Sequence, residues 1–369
     1  MPKFLSLSIA LALLLAACQP PSAQDRTEQE APDTELTGDS LLYPQESHLR
    51  NIQQLTFGGN NAEAYFSFDD EYLVYQWEYA EEGIPCDQIY MGKIPTEGED
   101  FEPQRISNGE GRTTCAYFYP GGDTIIYAST KLGGTECPPT IDRSKIQKYV
   151  WPIYDSYEIF LADREGNQLA QLTDNNAYDA EATLSPQGDR VVFTSTRHGD
   201  LDLYTMNLDG SDVQQITDAL GYDGGAFFSP DGSKLIFRAS RPQTLEARQE
   251  YQELLAQGLV APTNMELYVC NADGSDLRRI TDLGSANWAP FFHPSGEKII
   301  FSSNHASGGR TFNLFMINLD GSGLEQITYD TEFDAFPMFS FDGRKLVWAS
   351  NRNNGDTRHT NVFIADWVE

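Results

Sequence analysis

Beyond residue 46 the chain alternates between short apolar runs and short polar turns, and the alternation itself repeats. One set of apolar runs ends in the turns SFDD (67–70), YPGG (119–122), SPQG (185–188), SPDG (229–232), HPSG (293–296) and SFDG (340–343). A second apolar run follows each turn: YLVYQW, TIIYAS, RVVFTS, KLIFRAS, KIIFSS and KLVWAS. A third follows that: QIYMGKI, YEIFLAD, DLYTMNL, ELYVCNA, NLFMINL and NVFIADW. These runs are rich in β-branched and aromatic residues, the pattern of strands buried on both faces. In the turns Pro presets φ, Asp caps the backbone and Gly accepts a positive φ, so SPDG predicts a tight hairpin. Three third runs lead into a second turn, DGS, at 209–211, 273–275 and 320–322. Each cycle then closes on a short phrase: Gln54-Leu55-Thr56, Arg105-Ile106-Ser107, Gln171-Leu172-Thr173, Gln215-Ile216-Thr217, Arg279-Ile280-Thr281 and Gln326-Ile327-Thr328.

One cycle therefore predicts a four-stranded antiparallel sheet. Such a sheet cannot bury both faces alone, whereas a ring of six can. The expected fold class is all-β, a six-bladed β-propeller. The last cycle stops after its third strand at Val362–Asp366, and the segment 48–55 near the N-terminus reads like a fourth strand. It is expected to complete the last blade and close the ring. Two long insertions, 131–156 and 241–264, interrupt blades two and four between their second and third strands. Residues 244–257 read as a helix, with Leu245, Tyr251, Leu254 and Leu255 on one side and Gly258 as the stop.

The repeat, an apolar run with SPDG followed by DLY…N-x-DGS…IT, resembles the TolB-type propellers built from WD40-like Pro-Asp repeats. The resemblance spans residues 47–369 and is closest over 185–217 and 229–237; Asp70 and Gly121 depart from it in the first two turns. It implies the fold and not a task, since the same repeat builds the propellers of prolyl-oligopeptidase-type enzymes. TolB proteins carry a further N-terminal domain, for which residues 19–46 are too short, so the whole TolB role is not expected.

Lys3, the apolar run Phe4–Leu15 and Leu15-Ala16-Ala17-Cys18 resemble a bacterial lipoprotein signal. Residues 1–17 are read as the signal peptide, Cys18 as the lipidated residue, 18–42 as an acidic tether and 43–369 as the propeller. The expected address is the periplasmic side of the outer membrane or the cell surface, with the lipid as the sole membrane contact. The formal net charge of -30 repels phosphate backbones and excludes nucleic acid as a partner.

In a propeller the 1–2 and 3–4 turns share one face. Here those turns are tight, so that face is trimmed; the 2–3 loops and inter-blade loops form the elaborated face. Rigid scaffolds commonly carry function on such loops. Aligning the blades places Asn61, Thr113, Asp179, Asp223, Asn287 and Asp334 at the start of the first strands. Glu63, Cys115, Glu181, Gly225, Ala289 and Phe336 follow two residues later. The channel mouth is thus expected to gather Glu63, Asp179, Glu181, Asp223 and Asp334. They would either draw a divalent cation or cationic ligand, or cap their own loops.

Among the cysteines, Cys270 reads as a buried apolar residue. Cys86, Cys115 and Cys137 all fall on the elaborated face and allow three pairings, of which Cys115–Cys137 is favoured. No GxSxG, HExxH or phosphate-binding loop occurs, and His198, His305 and His359 read as solvated loop residues. The insertions of blades two and four are expected to wall a groove, with Tyr251 and Trp288 touching a ligand and Trp151 gluing its insertion down. The leading expectation is a monomeric, non-catalytic lipoprotein, without a cofactor, that binds an envelope protein, peptide or glycan. A metal-assisted hydrolase or lyase at the channel mouth is the alternative.

Overall fold

The computed structural model describes residues 41–369, apart from 97, 143–145, 147 and 356. The signal peptide, Cys18 and the tether up to residue 40 lie outside the described residues. No helix among the described residues is long and apolar enough to cross a membrane.

Each predicted cycle forms one four-stranded antiparallel blade. Blade three shows the pattern, with strands Asp179–Leu184, Val191–Ser195, Asp202–Met206 and Gln214–Gln215. The first strands of the other blades are Asn60–Phe66, Thr113–Phe118, Asp223–Phe228, Asn287–Phe292 and Asp334–Phe339. They touch one another in chain order, and the last returns to the first. Closure follows the expected route: Leu49–Gln54 pairs antiparallel with Asn361–Trp367, aligning Leu49 with Trp367 and Gln54 with Phe363. A second clasp was not legible beforehand. Glu46 is buried and takes Arg352 Nη2 at 3.0 Å, and the same guanidinium reaches Asp334 at 2.8 Å.

The repeated phrase now has a mechanical meaning. Fourth strands are as short as two residues, too short for a full ladder. The Thr that ends the phrase supplies the missing rung by accepting a third-strand N–H. Thr217 accepts from Leu203 at 2.9 Å, Thr281 from Leu267 at 2.9 Å and Thr56 from Val362 at 2.9 Å. The DGS glycines seal neighbouring blades. Gly210 sits at φ 84°, and a Cβ there would lie 2.5 Å from the Leu172 carbonyl oxygen of the preceding blade. Asp70, the departure in the first turn, takes the left-handed position at φ 60°. Its carboxylate accepts the Phe341 and Asp342 N–H groups at 2.7 and 2.9 Å, stitching blade one to blade six.

The helix spans Leu245–Leu255 and is capped by the Thr244 side chain. Only Tyr251 of its expected apolar side is buried; Leu245 is 82% exposed at the first position of the helix, before it reaches the propeller. The two insertions meet. Trp151–Pro152 from blade two pairs antiparallel with Leu259–Val260 from blade four, making a two-stranded sheet that bridges both insertions. Lys148 and Glu250 form an ion pair across the same junction.

Candidate functional site

The structure treats the five expected carboxylates in two ways. Asp179, Asp223 and Asp334 are fully buried at the starts of their strands, each held by the arginine eighteen residues later. Arg197 Nη2 meets both oxygens of Asp179 at 3.0 and 3.1 Å, and Arg241 Nη2 meets Asp223 at 2.9 Å. These aspartates are therefore neither loose charges at the mouth nor simple loop caps; they are intra-blade ion pairs. Burial pushes the Asp223 carboxyl up to about 6, with Arg241 opposing the rise. The arginine spacing stands in the sequence as Asp179/Arg197, Asp223/Arg241 and Asp334/Arg352, a signal the strand alignment alone passed over.

Glu63 and Glu181 do line the channel, with Cys115, Gly225, Ala289 and Phe336. All six occupy left-handed backbone, with φ between 46° and 60°. In every blade the first-strand register shifts at this point, so each is the extra residue of a β-bulge. The bulge turns one side chain per blade into the lumen. The resulting ring is polar across blades one to three and apolar or bare across blades four to six.

Glu181 is saturated. It pairs with Arg238 and accepts from Tyr222 Oη at 2.6 Å, Thr194 Oγ1 at 2.7 Å and Gly225 N at 2.8 Å. Burial alone would make the carboxyl harder to ionise, but Arg238 and these donors outweigh burial and hold it below its usual range. Glu63 has no such set. Its side-chain partner is the Cys115 thiol, and burial pushes its carboxyl up to about 7. Burial also drives the Cys115 thiol well above its usual range, so it stays protonated.

Below the ring the lumen is blocked. Tyr65, Tyr117, Phe227 and Phe291 pack edge to face or tilted, with centroids 5.1 to 6.1 Å apart. Above it the insertion sheet places Trp151 over the Arg238 guanidinium at 5.5 Å. The site is a blind pocket with an aromatic floor and a partial indole roof.

The expected groove is filled rather than open. Tyr251 is buried and its hydroxyl donates to Asp200, so it anchors the helix instead of facing a ligand. Trp288 is buried, donates to the Pro262 carbonyl at 2.8 Å and stacks on Phe312 at 4.3 Å. Trp151 packs on Trp288 at 5.2 Å, as a gluing residue should. The favoured cysteine pairing is corrected too: the disulfide joins Cys86 and Cys137. The blade-two insertion crosses to blade one, while Cys115 is turned inward by its bulge and remains free. His198, His305 and His359 contact Tyr204, Ser303 and Tyr79 respectively and share no site. No group of three His, Cys, Asp or Glu side chains among the described residues has the geometry to hold a metal ion.

Six blades closed by an N-terminal strand, with this bulged lumen, define a six-bladed β-propeller. Residues 150–250 match the PD40 family, described as a TolB beta propeller domain. Among solved structures the chain is similar to a putative TolB from Agrobacterium tumefaciens, with a TM-score of 0.56 and 20% identity over 84% of this chain and 91% of that one. It is also similar to TolB from Acinetobacter baumannii, with a TM-score of 0.54 and 17% identity, covering 81% of this chain and 64% of that one. An oligogalacturonate lyase in complex with manganese follows, with a TM-score of 0.50 and 14% identity over 86% of this chain and 80% of that one. At these identities the likeness is one of fold. No curated protein matches the chain.

Proposed function

We propose that the protein is a non-catalytic binding propeller of the cell envelope, anchored through Cys18, that engages a protein, peptide or glycan through its elaborated face. The observation that carries this reading is the joined insertions of blades two and four. Two excursions from separate blades pair with each other, and Leu132, Tyr149 and Leu245 within them are exposed. A large apolar residue held exposed by a rigid base suits partner contact. The likeness to two TolB structures supports the same reading. The hydrolase or lyase alternative asks for free carboxylates, and four of the five candidates are committed to arginine.

The test is crosslinking in native envelopes, comparing wild type with a Leu132→Asp/Leu245→Asp variant. Both positions are exposed, so the melting temperature is expected to hold while partner capture falls. Unchanged capture by the folded variant overturns the placement of the surface. Membrane retention of Cys18→Ser would overturn the anchor.

A further inference from the structure

Blades three and six build their buried aspartate–arginine pairs alike. Arg197 and Arg352 each place their backbone N–H and their Nε on the serine two residues before, Ser195 or Ser350. The loops leading into the two pairs are equally long, from Thr173 to Asp179 and from Thr328 to Asp334. In blade six this frame holds a turn of the N-terminal clasp. Glu46 accepts from Arg352 Nη1 and Nη2 at 3.2 and 3.0 Å and from the Tyr329 N–H at 3.1 Å. The Tyr43 ring lies 5.3 Å from the same guanidinium, and its hydroxyl donates to Asp330 at 2.9 Å. The Glu46 N–H closes the turn on the Tyr43 carbonyl at 3.0 Å.

Blade three carries the frame without the turn. Arg197 spends Nη2 on Asp179, and its Nη1 makes no hydrogen bond among the described residues. In the third pair, by contrast, Arg241 Nη1 is spent on Asp223 and the Ser240 carbonyl. The Asp174 N–H, counterpart of the Tyr329 N–H, donates to no described residue. Asn175, counterpart of Asp330, donates through its amide nitrogen to Asp179 and leaves its amide oxygen free among the described residues. Asn175 and Arg197 line a cavity of about 290 Å³ together with Asn176, Ala177 and Thr196. The Arg197 side chain is 19% exposed, against 2% for Arg352 beneath its turn.

We propose that this cavity seats a turn of a partner protein of the form Tyr-x-x-Glu, with the glutamate on Arg197 Nη1 and the Asp174 N–H and the tyrosine hydroxyl on Asn175. Blade six shows what such a frame accepts, and a guanidinium meeting a carboxylate is a strong, directional contact. Asp174 and Glu158 add negative charge around the loop. Blade six nevertheless holds Glu46 on an arginine that also serves Asp334, with Asp330 on the neighbouring tyrosine, so nearby carboxylates do not bar the contact. The loop that carries Arg197 also anchors the blade-four helix, through Asp200 and Tyr251. That ties the seat to the surface proposed above, and the choice of a protein as the source of the turn rests on that reading.

Fluorescence anisotropy of the full chain with a dye-labelled copy of residues 41–47, acetyl-Leu-Leu-Tyr-Pro-Gln-Glu-Ser-amide, tests this. Wild type is expected to bind the peptide, and to bind forms with Gln for Glu or Ala for Tyr about tenfold more weakly. Arg197→Lys keeps a countercharge for Asp179 but loses the fork, and Asn176→Trp fills the cavity from an exposed position. Each variant is expected to keep its melting transition and to lose about tenfold or more in affinity. The idea is overturned by absence of binding to wild type, by equal affinity for either altered peptide, or by unchanged affinity in the two variants. That last outcome would put the peptide in the blade-six frame, in place of the chain's own clasp. Envelope crosslinking of the Leu132→Asp/Leu245→Asp variant is read separately: its failure removes the outer surface, whereas failure of the peptide removes only the seat.

Discussion

Blades one and three place a glutamate on the same bulge of the same strand, Glu63 at φ 52° and Glu181 at φ 58°. Their chemistry diverges because the charge partner comes from a following blade. Glu181 receives Arg238, which pairs across the strand from Gly224 in blade four. The matching position of blade two, across from Thr114, is Ala128. Glu63 is left with a thiol. The repeat therefore dictates where a lumen side chain points, while its protonation is decided next door. One ring holds a carboxylate locked in the charged state and a carboxyl poised between states.

The largest break in this comparison is expected from Arg238→Met. It leaves Glu181 buried without its countercharge and should cost about 3–5 kcal/mol in urea unfolding at neutral pH. A loss below about 1 kcal/mol would mean that Glu181 is not anchored as described. Next comes the covalent tie that brings the blade-two insertion onto blade one. Cys86→Ser/Cys137→Ser opens a link across 51 residues and should cost about 3–4 kcal/mol, with the oxidised wild type as reference. Wild-type stability under reducing conditions should fall to that of the variant.

Glu63→Gln should act in the opposite sense to Arg238→Met. Folded Glu63 titrates at about 7 against an ordinary 4.5, so between those values the folded protein holds a proton that the unfolded chain has lost. Stability from this group is therefore intact at low pH and falls as pH rises towards about 7. The variant should match wild type near pH 4 and exceed it by about 3 kcal/mol above pH 7. Parallel stability curves for the two proteins would remove the dehydrated carboxyl from the pocket. The smallest effect is a control on the equivalence of blades: Thr56→Val and Thr217→Val should each cost about 1 kcal/mol, because the hydroxyl rung is the same in both. A large disparity would show that ring closure weights the blades unequally.

Much of the scaffold was legible because its signals are local. Turn residues, strand composition and the closing phrase ending in Thr or Ser recur from blade to blade, and the missing last strand pointed to residues 48–55. The aligned ring position was also legible, since Glu63, Cys115, Glu181, Gly225, Ala289 and Phe336 do face one lumen. What it would hold was not. The state of Glu181 depends on Arg238, far off in the chain, and that of Glu63 on what blade two lacks. The joined insertions escaped for a similar reason. Two-residue strands at 151–152 and 259–260 carry no periodicity, so Tyr251 and Trp288 read as contacts when they are fastenings. Cys137 found Cys86 because the insertion crosses a blade boundary, which spacing within blade two does not reveal.

The segment that closes the ring also lies next to the proposed tether, and this gives the clasp a mechanical role. A pull on the chain upstream of Leu41 would first load the Arg352 bonds to the Leu41 carbonyl and Glu46. Only after those gave way would the load reach the strand Leu49–Gln54 and its pairing with Asn361–Trp367. Because Arg352 also holds Asp334, the first residue of the innermost strand of blade six, the strain would be shared with the wall of the channel. On the proposal that Cys18 anchors the chain, the buried Glu46–Arg352–Asp334 triad would act as a strain relief on that leash.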